Sequence, residues 1–125
     1  MQAKSLPQSA LLVDDVSSVR QYLRQILQQA GVEHIFEASD GASAARLFNE
    51  HKPHWVFLDI QLPDINGQVL LQRFKQLDAQ SQIVMVTAFS SVDNLKEAIA
   101  GGAKAFVVKP FSAERIISLL QPQLH

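Results

Sequence analysis

The sequence predicts a single α/β domain, a (βα)5 alternation folded into one doubly wound parallel sheet of five strands. Three observations carry that reading. The apolar runs ALLV at 10–13, WVFL at 55–58, QIVMV at 82–86 and AFVV at 105–108 are each followed by residues of helical period. Short apolar runs bounded by turn residues read as strands buried on both faces, the habit of parallel sheets whose crossovers are helices. Each run also ends on a polar residue: Asp14 and Asp15 after the first, Asp59, Thr87 and Lys109 after the others. Ligands of open α/β sheets bind beyond the carboxyl ends of the strands. The chain thus brings three carboxylates, a hydroxyl and an ammonium to one sheet edge.

The elements follow in order. Residues 1–9 read as a short polar arm, residues 10–121 as the domain, and residues 122–125 as a tail or the start of a linker. Ala10–Val13 is the first strand. From Val16, the positions Val19, Leu23, Ile26, Leu27 and Ala30 keep the helical period until Gly31 stops the helix. Ile35–Ala38 is a weaker, more polar strand that suits a sheet edge. After the Asp40-Gly41 turn, Ala42, Ala45 and Phe48 mark a short helix ending near Glu50. Trp55–Leu58 follows Pro53 as the third strand. The loop 61–67 contains Pro63, and the helix beyond it is expected to bury Val69, Leu70, Phe74 and Leu77. Ile83–Val86 is strand four; Val92, Leu95, Ala98 and Ile99 mark the next helix, stopped by Gly101-Gly102. Ala105–Val108 is strand five. Ser112 is placed to cap the last helix, with Ala113, Ile116, Ile117 and Leu120 inward and Pro122 at its end.

Composition narrows the function classes. The 125 residues are 47% apolar and 18% charged with net charge −1, so no basic nucleic-acid or membrane-binding surface is expected. The absence of cysteine excludes disulfides and thiolate metal sites. The start, MQAKSLPQSA, lacks the apolar core of a secretory signal and no stretch reaches spanning length, so the expected compartment is the cytoplasm.

The chemistry lies in the five edge residues. Adjacent Asp14 and Asp15 repel one another unless a cation sits between them. One alone would suit a helix cap; both together with Asp59 suit a hard divalent cation, and Mg²⁺ fits an oxygen-only set that also faces phosphate. Asp59, at the end of an apolar strand, can attack phosphorus and form an acyl phosphate. Such a transfer depends on neutralising the phosphoryl oxygens. Lys109, held extended by the following Pro110, can supply a point charge, and the Thr87 hydroxyl a hydrogen bond.

Over essentially its full length the chain resembles the receiver domain of two-component response regulators, the CheY-like family. LLVDD at 11–15, VFLDIQLPDING at 56–67, VMVTAF at 84–89 and FVVKPF at 106–111 carry the resemblance in matching order and spacing. It implies the flavodoxin-like strand order 2-1-3-4-5. It makes Asp59 the phosphoacceptor, Asp15 the direct Mg²⁺ ligand with Asp14 acting largely through water, and the Gln61 backbone carbonyl a further ligand. Lys109 would bridge to the phosphoryl group, with a cis peptide before Pro110. Thr87 would move toward the phosphate, and Phe106 stands at the family's rotating aromatic, with small Ala88 leaving it room. Gln61 and Phe89 occupy the positions that tune acyl-phosphate lifetime, where a bulky Phe89 predicts slow-to-moderate self-dephosphorylation. The resemblance also implies a histidine kinase or histidine phosphotransfer protein as donor and a surface of helix four, strand five and helix five as output. It leaves the downstream effector or output domain open, along with a phosphorylation-dependent dimer.

Other classes fit less well. A Mg²⁺-dependent aspartyl-phosphate phosphohydrolase typically carries an acid two residues after its nucleophile, and Gln61 stands there. A phosphorylation-independent interaction module would not need the complete set of edge residues. A dinucleotide-binding module would need a glycine-rich turn where Val13-Asp14-Asp15 opens the first helix.

Overall fold

The structure is a computed structural model that describes residues 8–120. Ten elements alternate along the chain: β1 (Ser9–Val13), α1 (Ser17–Gln29), β2 (His34–Ala38), α2 (Gly41–His51), β3 (Trp55–Leu58), α3 (Gly67–Leu77), β4 (Gln82–Thr87), α4 (Val92–Ala100), β5 (Ala105–Val108) and α5 (Ala113–Leu120). The strands form one parallel sheet in the order β2-β1-β3-β4-β5. The polar second strand is therefore an edge, as its sequence suggests.

Alternation along the strands builds two cores. Leu11, Val13, Val56, Leu58, Ile83 and Met85 face Phe48, Leu70 and Phe74 of α2 and α3. Ala10, Leu12, Phe57, Val84 and Val107 face Leu23 and Leu27 of α1 and Ile116 of α5. Phe48 and Phe74 stack with ring centroids 4.1 Å apart, joining α2 to α3.

The helix ends follow local chemistry. Asp40 Oδ1 accepts from Ser43 N at 2.8 Å, Ser91 Oγ from Asn94 N at 3.1 Å, and Ser112 Oγ from Arg115 N at 3.2 Å. Gly31 and Gly102 sit at φ 95° and 96°, the left-handed exits that stop α1 and α4.

Several expectations are corrected. β1 starts at Ser9 rather than Ala10, because Ser9 pairs with His34 beyond the apolar run. The rest of the expected arm up to position 7, the expected stop at Pro122 and the expected tail lie outside the described residues. In α2 the inward small residue is Ala44, whereas Ala42 is exposed at the helix start; Ala30 caps α1 from the solvent side. Val69 and Leu77 of α3 are exposed, and Leu71 takes the inward place. The α4 residues need no such correction: Ala98 is buried, while Val92, Leu95 and Ile99 face solvent, as a partner surface on helix four requires of Leu95 and Ile99. An apolar stripe identifies a helix but does not say how much of it the sheet covers.

Candidate functional site

Strand order decides where the polar residues meet. The sheet reverses direction of growth between β1 and β3, which leaves a crevice at their carboxyl ends. Asp14 and Asp15 leave β1 and Asp59 leaves β3 at that crevice. Their positions are pinned by the continuing ladder, with Asp14 N donating to Ala38 O at 3.1 Å and Asp59 N to Val13 O at 2.9 Å. Asp14 is 2% exposed, Asp59 6%, and Asp15 opens to solvent. One oxygen from each of the three carboxylates lies within 4.8 Å of the others.

Lys109 enters from β5. Its backbone N donates to Thr87 O at 2.9 Å, and its Nζ reaches Asp14 Oδ2 at 2.6 Å and Asp59 Oδ2 at 3.0 Å. Burial works against the ammonium, but the hydrogen bonds to Asp14 and Asp59 prevail and hold its pKa above the usual lysine value. Burial lifts the Asp14 carboxyl above its ordinary value, and the bonds from Lys109 and Val16 N only partly offset that. The difference follows from the partners: the lysine faces two carboxylates, while Asp14 faces one lysine and the like charge of Asp59. A hard cation among these oxygens would relieve that repulsion, and the all-oxygen donor set fits one.

The other expected residues take distinct places. Gln61 is exposed, and its N–H donates to Asp59 Oδ1 at 3.2 Å. Thr87 is fully buried, and its Oγ1 accepts from Phe89 N at 3.1 Å rather than approaching Asp59. Ala88 and Phe89 line a cleft of about 540 Å³ together with Asp15, Asp59, Gln61 and Lys109. Phe106 is half-buried against the core on the α2–α4 side of the sheet. The Lys109–Pro110 peptide is cis.

Sequence reasoning missed the residues that brace this site. Arg20 Nη1 donates to Asp14 O at 2.6 Å while its Nε pairs with Glu37 of β2 at 2.8 Å, and Arg24 completes the pair at 2.7 Å. Gly67 must be glycine, since a Cβ there would strike the carbonyl oxygen of Asp59. Asp64 accepts from Gly41 N at 2.7 Å and Ala42 N at 3.0 Å, and the Gly41 bond holds its carboxyl below the usual range. Buried Gln68 ties α3 to α4 by donating to Asn94 O at 2.9 Å. These contacts bridge distant elements, so no local spacing signals them; glycine after Asn66 was the one local hint.

Comparison with known proteins agrees with the geometry. Residues 10–121 match the model of the response regulator receiver domain. The chain is 38% identical to the chemotaxis protein CheY of Bacillus subtilis over 115 residues, covering 92% of this chain and 96% of that one. It is 36% identical to CheY of Thermotoga maritima, covering 88% and 92%. Among solved structures it is similar to a CheX–CheY–BeF3–Mg²⁺ complex from Borrelia burgdorferi, with TM-score 0.87, 28% identity and coverage of 92% and 87%. Vibrio cholerae CheY4 gives TM-score 0.83 at 27% identity, covering 92% and 97%.

Proposed function

This chain belongs to the response regulator receiver domain family, and we propose that Asp59 is its phosphoacceptor, charged from a phosphohistidine on a kinase or phosphotransfer protein. The observation that carries this is the bridging of two buried strand-end carboxylates, Asp14 and Asp59, by the single ammonium of Lys109. In the transfer a carboxylate oxygen of Asp59 attacks phosphorus. The N–P bond to imidazole breaks, its electron pair stays on the ring nitrogen, and an acyl phosphate forms. Hydrolysis by water later returns the carboxylate and inorganic phosphate.

Asp14, Asp15, Asp59 and the Gln61 carbonyl would hold Mg²⁺. When bound, that ion offsets charge on the phosphoryl oxygens. The chain's own residues do the rest. Lys109 releases Asp59 as the phosphoryl group arrives and pairs with a phosphate oxygen instead. Thr87 exchanges the Phe89 N–H for the phosphate, which draws the β4–α4 junction inward. Phe106 rotates into the space beside Ala88, and the surface of α4, β5 and α5 presents the new state to its partner. The domain signals by changing shape and acts on no outside substrate. Among the described residues no helix is long and apolar enough to cross a membrane.

Incubation with Mg²⁺ and acetyl phosphate followed by intact mass tests the assignment. One added phosphate is expected in the wild type and in Asp78→Asn, and none in Asp59→Asn. Uptake by Asp59→Asn, or none in the wild type from any donor, sinks the reading; the latter outcome makes the domain an interaction module. Phe89, half exposed on the rim of the cleft, shields the acyl phosphate from water. Phe89→Ala is therefore expected to shorten its lifetime, measured as decay of the phosphorylated mass after donor removal.

A further inference from the structure

The loop between β3 and α3 supplies Gln61 to the acidic cleft, and the structure shows how its shape is fixed. Its two ends close on each other, through Gly67 N donating to Ile60 O at 2.6 Å and an antiparallel bridge between Gln61 and Asn66. Its tip projects to Pro63 and Asp64. There the Asp64 carboxylate spans the first two amides of α2, Oδ1 to Gly41 N at 2.7 Å and Oδ2 to Ala42 N at 3.0 Å. Those amides lack partners within the helix and carry the positive end of its dipole, so a carboxylate held by both is firmly seated. Gly41 makes the seat possible, because a Cβ at that position would collide with Ile65 Cγ2 and crowd Asp64 Oδ1 at 3.2 Å. Asp40, meanwhile, caps the same helix through Ser43 N at 2.8 Å. The helix end therefore has a cap of its own, and the Asp64 contact serves the loop.

We propose that Asp64 is a positioning residue for the metal site. By clamping the loop tip to the N-terminus of α2, it holds the Gln61 main chain toward the carboxylates of Asp14, Asp15 and Asp59. This rests on the reading of that cluster as a Mg²⁺ site. The clamp acts through the backbone alone: two residues, Leu62 and Pro63, separate Asp64 from Gln61, and the Gln61–Asn66 bridge makes the intervening turn move as a unit. Its loss lets the tip swing, which averages the Gln61 carbonyl away from the cation. The carboxylates, set by the sheet ladder, stay where they are. Affinity for Mg²⁺ is lowered while the chemistry of a fully loaded site is retained.

Calorimetric Mg²⁺ titration of the unphosphorylated protein, paired with amide exchange of residues 60–67, tests this. Asp64→Ala is expected to weaken Mg²⁺ binding about 10-fold, the low end for loss of a residue supporting a metal ligand, because Leu62 and Ile65 still hold the loop to the core. The rate of phosphorylation by acetyl phosphate at saturating Mg²⁺ stays at the wild-type value, and exchange in the loop rises. Asp64→Asn keeps one acceptor oxygen and is expected between the two, which preserves the test if the alanine variant folds poorly. Gly41→Ala keeps the carboxylate but drives α2 and Ile65 apart, and should reproduce the weakened binding. Unchanged Mg²⁺ affinity in these variants, with thermal stability alone reduced, overturns the proposal and leaves Asp64 as a helix cap. A wild type that binds no Mg²⁺ overturns the reading of the site itself, and the clamp falls with it.

Discussion

The two edges of the sheet are finished in opposite ways. At β2, Glu37 is gripped by Arg20 and Arg24, and Arg20 reaches on to the carbonyl of Asp14, so this edge is tied to the acidic site. Around β5, apolar side chains are left in water: Val92 and Ile99 are each 64% exposed, with Leu95 and Val108 also open. Both regions belong to one sheet, joined through Lys109, whose backbone bonds β4 and whose ammonium bonds the carboxylates. The contrast teaches a division of labour. A site that must place charges accurately needs rigid surroundings, whereas a surface that reports on it, as proposed for this face, needs a shallow energy minimum. Residues exposed as Val92 and Ile99 are contribute little to holding α4 in one place.

The contrast is sharpest in the energetics of truncation. Phe48 is fully buried and stacked on Phe74, so Phe48→Ala is expected to cost about 3–5 kcal/mol. Ile99→Ala removes a side chain of similar hydrophobicity from an exposed position and should change stability by less than about 0.5 kcal/mol. Urea denaturation of both variants measures the difference. If Ile99→Ala costs more than about 1 kcal/mol, α4 is packed more tightly than its exposure indicates and the contrast collapses.

The same contrast explains what could be read in the sequence. Trp55–Leu58 was legible to the residue, because a strand covered on both faces needs an unbroken apolar run; Ala105–Val108 showed the same run, although only Val107 of it is buried. The convergence of Asp14, Asp15, Asp59 and Lys109 followed from where such runs end. Val69 and Leu77 misled, since helical periodicity records which face is apolar but not whether another element covers it. Arg20, Glu37 and Asp64 carried no signal: their partners lie on other elements, and the pairing exists only once the sheet order is set.

Lys109 is the link between the regions, and removing it should affect both. Lys109→Met leaves Asp14 and Asp59 facing each other without a cation. Its side chain is 17% exposed, so the expected loss is roughly 2–3 kcal/mol, below that of a fully buried pair. Addition of Mg²⁺ should restore part of that loss, since a ligand of the folded state stabilises it by mass action. Urea curves with and without Mg²⁺ read both effects. An unchanged midpoint without the ion would show that the carboxylates do not need the lysine, and the two regions would then be less coupled than the contacts indicate.

The smallest effect tests whether the fastened edge is independent of the loose one. Burial acts to raise the Glu37 carboxyl, but the hydrogen bonds from Arg24 and Arg20 outweigh it and hold the pKa below the ordinary 4.5. The folded state therefore binds this proton less tightly than the unfolded chain. The ion pair's contribution is complete above the ordinary value and is lost as the pH falls through the lower folded value. Glu37→Gln should be less stable than the wild type at neutral pH by about 0.5–1 kcal/mol, the upper range for partly exposed pairs because two guanidiniums share one carboxylate. The gap between the two proteins should then close on acidification below 4.5. Denaturation midpoints across that range measure it; a gap that stays constant with pH means that the charge of Glu37 is not what fastens β2. Amide exchange at α4 should be the same in both proteins, because the brace acts on β1 and β2 and the exposed helix rests on the far side of the sheet. A change there would mean that the β2 edge sets the poise of the proposed output surface as well as of the acidic site.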